Sequence, residues 1–368
     1  MKVRYSYLPQ QFSNSSKLWV KLKKFVKTGD FTLGKPLENF ETKFAALIGT
    51  KYAVGVNSGT DALKLSLNAL NVGPGDEVIT AANTFVATVG AINELGAKVI
   101  FVDCDDTFCI NADLISKKIT KKTKAIIPVH LTGCMPKMEK LMKISKKYKI
   151  PIVEDACQSI LSSYKKKLSG TWGAAAAFSF HPLKNINVWS DGGMVVTNNK
   201  KIYKKLTLLR NHGLVNRDEI KILGYNSRLD TFQAIVGSWL LPKAKKIAKQ
   251  RINNAIYLDN QLSKIKEITI PPRPKEVNHV FHLYIVFAKK RNDLYKYCLK
   301  KGIQAKIHYP KPIYRQTPFI KMGYKQKDFP VANNHSKKII SFPCDQHLNK
   351  KQINYMIKTV ENFYSLKK

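Results

Sequence analysis

Ala176-Ala177-Phe178-Ser179-Phe180-His181-Pro182-Leu183-Lys184-Asn185, continuing to Asp191-Gly192-Gly193 and then Met194-Val195-Val196-Thr197, holds an apolar strand, a polar loop and a second apolar strand. Short apolar runs of this kind, free of polar alternation, predict strands buried on both faces. The same unit recurs upstream at Ala53–Val56, Glu77–Thr80, Lys98–Val102, Ala125–Val129 and Ile150–Val153. Seven such runs separated by helical stretches predict a mostly parallel seven-stranded sheet with helices on both sides. After about residue 245 the pattern changes to a long lysine-rich helix, a strand over His282–Phe287, a helix near 291–301 and a closing helix after Asn349. The predicted organisation is a large α/β domain over 1–245, with an N-terminal arm, and a smaller α+β domain over 246–368. Between 305 and 345, Pro310, Pro312, Pro318, Pro330 and Pro343 predict a loop-rich stretch lining a cleft.

A chain of 368 residues with 44% apolar content can bury a large core. No apolar stretch reaches the roughly 18 residues needed to span a bilayer. The start, Met1-Lys2-Val3-Arg4-Tyr5-Ser6-Tyr7-Leu8-Pro9, lacks the apolar centre of a secretion signal, so a cytoplasmic protein is expected. Cysteines at 104, 109, 134, 157, 298 and 344 form no CxxC pair and read as reduced packing residues. The formal charge of +38 raises nucleic-acid binding as a question. The lysines are spread along the whole chain, with no aromatic-interleaved basic stripe, and read as a solvated surface. Such a field favours a substrate bearing phosphate or pyrophosphate.

In an open α/β sheet the chemistry lies beyond the carboxyl ends of the strands. Asn57-Ser58-Gly59-Thr60-Asp61-Ala62-Leu63 follows a strand and opens a helix, where free amides favour an anion; it also reads as an ordinary capped turn. Glu154-Asp155-Ala156-Cys157-Gln158 offers two neighbouring carboxylates, of which alternation sends only one towards a ligand. Either serves on composition alone. Lys184 stands apart from the surface lysines, between an apolar strand and a Gly-Gly turn. Thr84-Phe85-Val86-Ala87-Thr88 supplies a ring that could stack on a flat heterocycle. An imine-forming lysine and a carboxylate that keeps a pyridine nitrogen protonated are the two protein groups that pyridoxal 5'-phosphate chemistry requires. Together they predict an aminotransferase.

These runs, with Gly34–Glu41, Pro128–Gly133 and Gly224–Asp230, resemble the DegT/DnrJ/EryC1/StrS sugar aminotransferases over nearly the whole chain. The resemblance implies the fold-type I architecture of pyridoxal-phosphate transferases. It further implies that Lys184 is the imine lysine and Asp155, rather than Glu154, the partner of the ring nitrogen. Gln158 is implied on the ring's hydroxyl side, Phe85 on its face, and Gly59, Thr60 and Ser179 on its phosphate. Asn226 is implied to reach the phosphate of a neighbouring subunit, which makes the protein a homodimer with shared active sites. The expected substrates are L-glutamate as donor and a nucleotide-linked keto-hexose as acceptor, for amino-sugar and polysaccharide biosynthesis.

Where many members carry Gly-Glu-Gly-Gly, this chain has Ser190-Asp191-Gly192-Gly193, and the shorter acid leans towards members that aminate the 3-keto position. His181, three residues before Lys184, and Asp191 are the candidate substrate contacts. His279 and His282 share an i, i+3 spacing that suggests metal, but no third ligand motif accompanies them and no metal site is expected. Related dehydratases replace the imine lysine with histidine, and Lys184 argues against that class. The rival readings are an aminotransferase acting on a cyclitol or non-nucleotide sugar ketone, and a non-catalytic DNA-binding regulator of the same fold.

Overall fold

Each of the seven apolar runs forms a strand in the computed structural model, which describes residues 1–365. They are β1 (Tyr52–Val56), β2 (Glu77–Ala81), β3 (Lys98–Val102), β4 (Thr123–Ile127), β5 (Val153–Asp155), β6 (Ala175–Ser179) and β7 (Gly193–Thr197). A four-stranded sheet, β1-β7-β6-β5, and a three-stranded sheet, β4-β2-β3, are joined where Ile126 pairs with Ile152 and Val129 with Asp155. All neighbours run parallel except β7, which is antiparallel to both β1 and β6. Alternation divides the side chains between two cores. Val54, Ala175, Ala177 and Val195 meet Leu63, Val89 and Leu206 on one face. Ala53, Ala176, Phe178, Met194 and Val196 meet Leu37, Phe40, Phe44 and Val236 on the other.

β5 begins at Val153, so Glu154 and Asp155 lie within the strand rather than beyond it. Pro151 has no N–H to extend the ladder; only its carbonyl pairs, accepting from the Ile126 amide at 3.0 Å. The helix Ala244–Leu262 leaves the large sheet's core at Ala244, Ile247 and Ala248 and enters a second core at Ala255, Leu258 and Leu262. That second core covers an antiparallel sheet of Ile268–Thr269, Tyr284–Ala288 and Ile339–Phe342, together with the helices Arg291–Lys300 and Lys350–Ser365. Val3 of the N-terminal arm packs there too.

The proline-rich stretch is more ordered than its composition predicts. Pro318 and Pro330 stand in the first turns of the helices Thr317–Lys321 and Pro330–Lys338, where a missing N–H is not needed. From this stretch Ile313, Tyr314, Phe319, Phe329 and Ala332 return to the large sheet's core. Among the described residues no helix is long and apolar enough to cross a membrane.

Candidate active site

β1, β5 and β6 all end at one cavity of about 480 Å³, walled on its far side by the N-terminal arm and the C-terminal strands. Ser58, in extended backbone, caps the helix Gly59–Ala69 by accepting from the Asp61 amide at 3.1 Å. The Gly59 and Thr60 amides at the start of that helix are thereby left for a ligand in the cavity. Two glycines permit the close packing here. A Cβ on Gly59 would lie 2.7 Å from the Cβ of Ser179 and 3.0 Å from Sγ of Cys157. A Cβ on Gly193 would lie 2.2 Å from the carbonyl oxygen of Ser58. Ser179 lines the cavity beside Gly59, and its hydroxyl accepts from the His181 amide at 3.3 Å.

Strand alternation separates the two carboxylates. Glu154, fully buried, accepts from the Trp172 and Gly173 amides through Oε1 and from the Gly170 amide through Oε2. Its Oε2 also lies 2.9 Å from Nε2 of His130. Burial raises its pKa, but the bonds from His130 and from these amides outweigh burial and hold it below the usual carboxylate value. Asp155 takes the opposite side. Its Oδ2 accepts from the Thr88 hydroxyl at 2.7 Å, which in turn bonds the Thr84 hydroxyl at 2.7 Å, and its Oδ1 accepts from the Cys157 amide at 3.2 Å.

Lys184 lies in the same cavity, half-buried, and its backbone carbonyl accepts from the Tyr7 hydroxyl at 2.8 Å. Loss of water around its amine lowers its pKa, against the opposing pull of Cys157 and Asp155. Gln158 lines the cavity with its Oε1 held by the Thr132 amide at 2.8 Å. The half-exposed ring of Phe85 stands at the mouth, 6.0 Å from the ring of Tyr309. His181 and Asp191 also face the cavity. The His181 ring is anchored by the Leu183 amide on Nδ1, and its pKa is lowered by burial and by Lys184, against Asp191.

Of the candidate site residues, Asp155 is buried just behind the cavity wall formed by Cys157 and Gln158, and Asn226 stands away from it, exposed on the segment that pairs Asn211 with Asn226. His279 and His282 diverge: Nε2 of His279 lies on the Thr132 carbonyl at 3.0 Å and its hydroxyl at 3.1 Å, whereas His282 faces the cavity. The sequence reading missed Tyr5, Tyr7, Arg251, His308 and Tyr309, which complete the far wall. They come from the arm, the helix Ala244–Leu262 and the proline-rich stretch, where no strand-end pattern marks them. Thr88 lay in the run quoted for Phe85, and its hydroxyl's bond to Asp155 carried no mark in the sequence.

The cavity fits pyridoxal 5'-phosphate by its own donor set: free helix amides and a hydroxyl for an anion, a lysine of lowered pKa, and behind them a carboxylate oriented by two donors.

Comparison with known proteins identifies the family. The pattern of the DegT/DnrJ/EryC1/StrS aminotransferase family matches residues 15–361. The chain is similar to a pleiotropic regulatory protein of Geobacillus stearothermophilus, with 38% identity over 93% of each chain. It is also similar to a dTDP-3-amino-3,6-dideoxy-alpha-D-galactopyranose transaminase of Aneurinibacillus thermoaerophilus, with 35% identity over 93% of this chain and 94% of the relative. The solved structure of S. venezuelae DesV in complex with a ketimine intermediate superposes with a TM-score of 0.96 at 32% identity, covering 98% of both chains. This chain belongs to the DegT/DnrJ/EryC1/StrS aminotransferase family.

Proposed function

We propose that the protein is a pyridoxal-phosphate-dependent sugar aminotransferase that moves an amino group from L-glutamate to the keto group of a nucleotide-linked hexose. The observation that carries the reading is the meeting, in one cavity, of a lysine with depressed pKa and the amide cradle at Ser58–Thr60, with the buried Asp155 carboxylate close enough to act on the lysine's charge. Gly59, Thr60 and Ser179 would hold the phosphate, Phe85 would cover one face of the ring, and Gln158 would bond its hydroxyl side. When bound, the cofactor supplies a carbonyl that amines condense with and a ring that draws electrons from the substrate's α carbon.

The chain's own groups then divide the work. Asp155, fixed by Thr88 and the Cys157 amide, stabilises a proton on the ring nitrogen and so keeps the ring electron-poor. With the cofactor bound, Lys184 would move a proton between the donor's α carbon and C4′ of the cofactor, first as base and then as acid. Its depressed pKa raises the neutral fraction that this exchange needs. Asp191 and His181 contact the acceptor, and the shorter acid at 191 supports amination at the 3-keto position. The A. thermoaerophilus relative, a transaminase of a 3-amino sugar, supports the same position. Asn226, exposed and away from this chain's cavity, suits a contact with the phosphate of a second copy in a homodimer. The expected setting is the cytoplasm.

The test is the visible spectrum of the purified protein with pyridoxal phosphate, before and after L-glutamate, in wild type and Lys184→Ala. A yellow band that depends on Lys184 and is bleached by glutamate is expected. Absence of a lysine-dependent band would overturn the reading and favour the regulator, whose signature is steeply salt-dependent duplex binding.

A further inference from the structure

The far wall of the cavity holds a cation with no role in the scheme above. Arg251 is only 4% exposed and lines the cavity. Its Nε donates to the Phe281 carbonyl at 3.0 Å, Nη1 to Oε1 of Gln346 at 3.1 Å and Nη2 to the His282 carbonyl at 2.9 Å. These are neutral acceptors. A guanidinium has five N–H groups, so two remain. Among the described residues no carboxylate lies within 4.0 Å of Arg251, whereas Arg210 pairs with Glu41 and Arg273 with Asp259. Asp345 on this wall acts on Arg251 only from beyond contact distance, and its Oδ1 accepts from the His347 amide at 2.8 Å. A buried charge with no carboxylate in direct contact is costly, and one that faces a cavity is set to receive an anion. Arg291 is the informative contrast: it too is buried on carbonyl oxygens of Ile339 and Ser336, but it does not line this cavity.

Two neighbours complete the corner. The Tyr5 hydroxyl lines the same wall and makes no hydrogen bond among the described residues. The Tyr7 ring lies 5.8 Å from the guanidinium carbon, and its hydroxyl holds the backbone of Lys184. Arg251 and Lys184 therefore face the same space across one tyrosine. The geometry points to Arg251, assisted by the Tyr5 hydroxyl, as the anchor for a carboxylate of the amino donor while its amine reaches the cofactor above Lys184. A planar fork of N–H groups matches a carboxylate bidentately and orients the donor as well as binding it. This assignment rests on the amino-transfer reading.

Two measurements test it. The first is the spectral titration of the cofactor-loaded protein with L-glutamate, in wild type, Arg251→Gln and Arg251→Lys, with acceptor-side affinity followed in parallel by binding of a nucleoside diphosphate. The second is calorimetry of cofactor-free protein with glutarate, which carries carboxylates but no amine and cannot react. Loss of charge-assisted bonds predicts that Arg251→Gln weakens glutamate and glutarate by about tenfold to a hundredfold, with Arg251→Lys in between. Nucleoside diphosphate affinity is expected to stay within about twofold, because a role in holding the fold alone would not discriminate between the two ligands. Unchanged glutamate affinity in either folded variant overturns the assignment, as does weakening of the diphosphate instead. Should Arg251→Gln fail to fold, Arg251→Lys and Tyr5→Phe decide by the same ratios. If wild type itself shows no response to any amino acid, the aminotransferase reading fails rather than this anchor.

Discussion

Gly59→Ala is expected to open the phosphate cradle while leaving the rest of the site in place. The added Cβ would stand 2.7 Å from the Cβ of Ser179, 3.0 Å from Sγ of Cys157 and 3.2 Å from Oγ of Ser179. Carbon atoms in good contact sit about 3.5–4.0 Å apart, so the helix start or β6 must move by about an ångström. Overpacking of this kind costs about 1–3 kcal/mol of stability. It also separates the Gly59 and Thr60 amides from Ser179, and loss of one or two charge-assisted bonds weakens the phosphate ester about tenfold to a hundredfold. The assay compares pyridoxal phosphate with unphosphorylated pyridoxal, each followed by its lysine-dependent absorbance in wild type and variant. Affinity for the phosphate ester should fall while that for pyridoxal stays near wild type. Equal losses for both would place the damage at Lys184 or Asp155, and no loss for either would refute the cradle.

The other substitutions separate chemistry from scaffold. Lys184→Ala should abolish glutamate-dependent bleaching with the melting temperature close to wild type, and residual wild-type turnover would sink its assignment. Asp155→Asn should retain cofactor but lose most activity; by removing a negative charge it should also lower the pH at which the Lys184 amine becomes reactive, read from the pH dependence of cofactor capture. Glu154→Gln turns an amide N–H towards donors already at 2.7–2.9 Å and should destabilise the fold by roughly 3 kcal/mol in denaturant titration. Because Glu154 titrates lower in the folded chain than its ordinary 4.5, it adds stability above that value which is lost as pH falls through the folded pKa. Acid unfolding of Glu154→Gln should accordingly show a shallower pH dependence below about pH 4.5 than wild type.

The sheet was legible because each strand is apolar on both faces, and that signal survives in a single sequence. The residues at its carboxyl ends were legible for the same reason: once the strands are placed, Ser58, Lys184 and the 154–158 run must share one edge. Arg251 was not, because a cationic side chain on a lysine-rich helix carries no mark of burial until the 281–282 carbonyls are folded against it. Nor was the order between 305 and 345, where prolines that punctuate loops also start helices. Tyr5 and Tyr7 reach the cavity because the arm pairs with the C-terminal core, Val3 donating to the Gly302 carbonyl and accepting from the Gln304 amide. Contacts between chain ends leave no local pattern.

The adjacent acids of β5 show how one strand end can serve structure and chemistry together. Period-two alternation forces Glu154 and Asp155 to opposite faces, so the two carboxylates do not compete for a single environment. Glu154 gathers three amides and a histidine and fixes the loop before β6. That loop leads into β6, whose end carries Ser179 to within packing distance of Gly59. Asp155 meets only a hydroxyl and one amide, which orient its carboxylate and leave lone pairs for a ligand. The fully bonded acid is thus the scaffold and the partly bonded one the reagent. Exchanging the two by a one-residue slip of β5 would bury an under-bonded carboxylate and turn the well-bonded one towards the cavity, losing stability and site together.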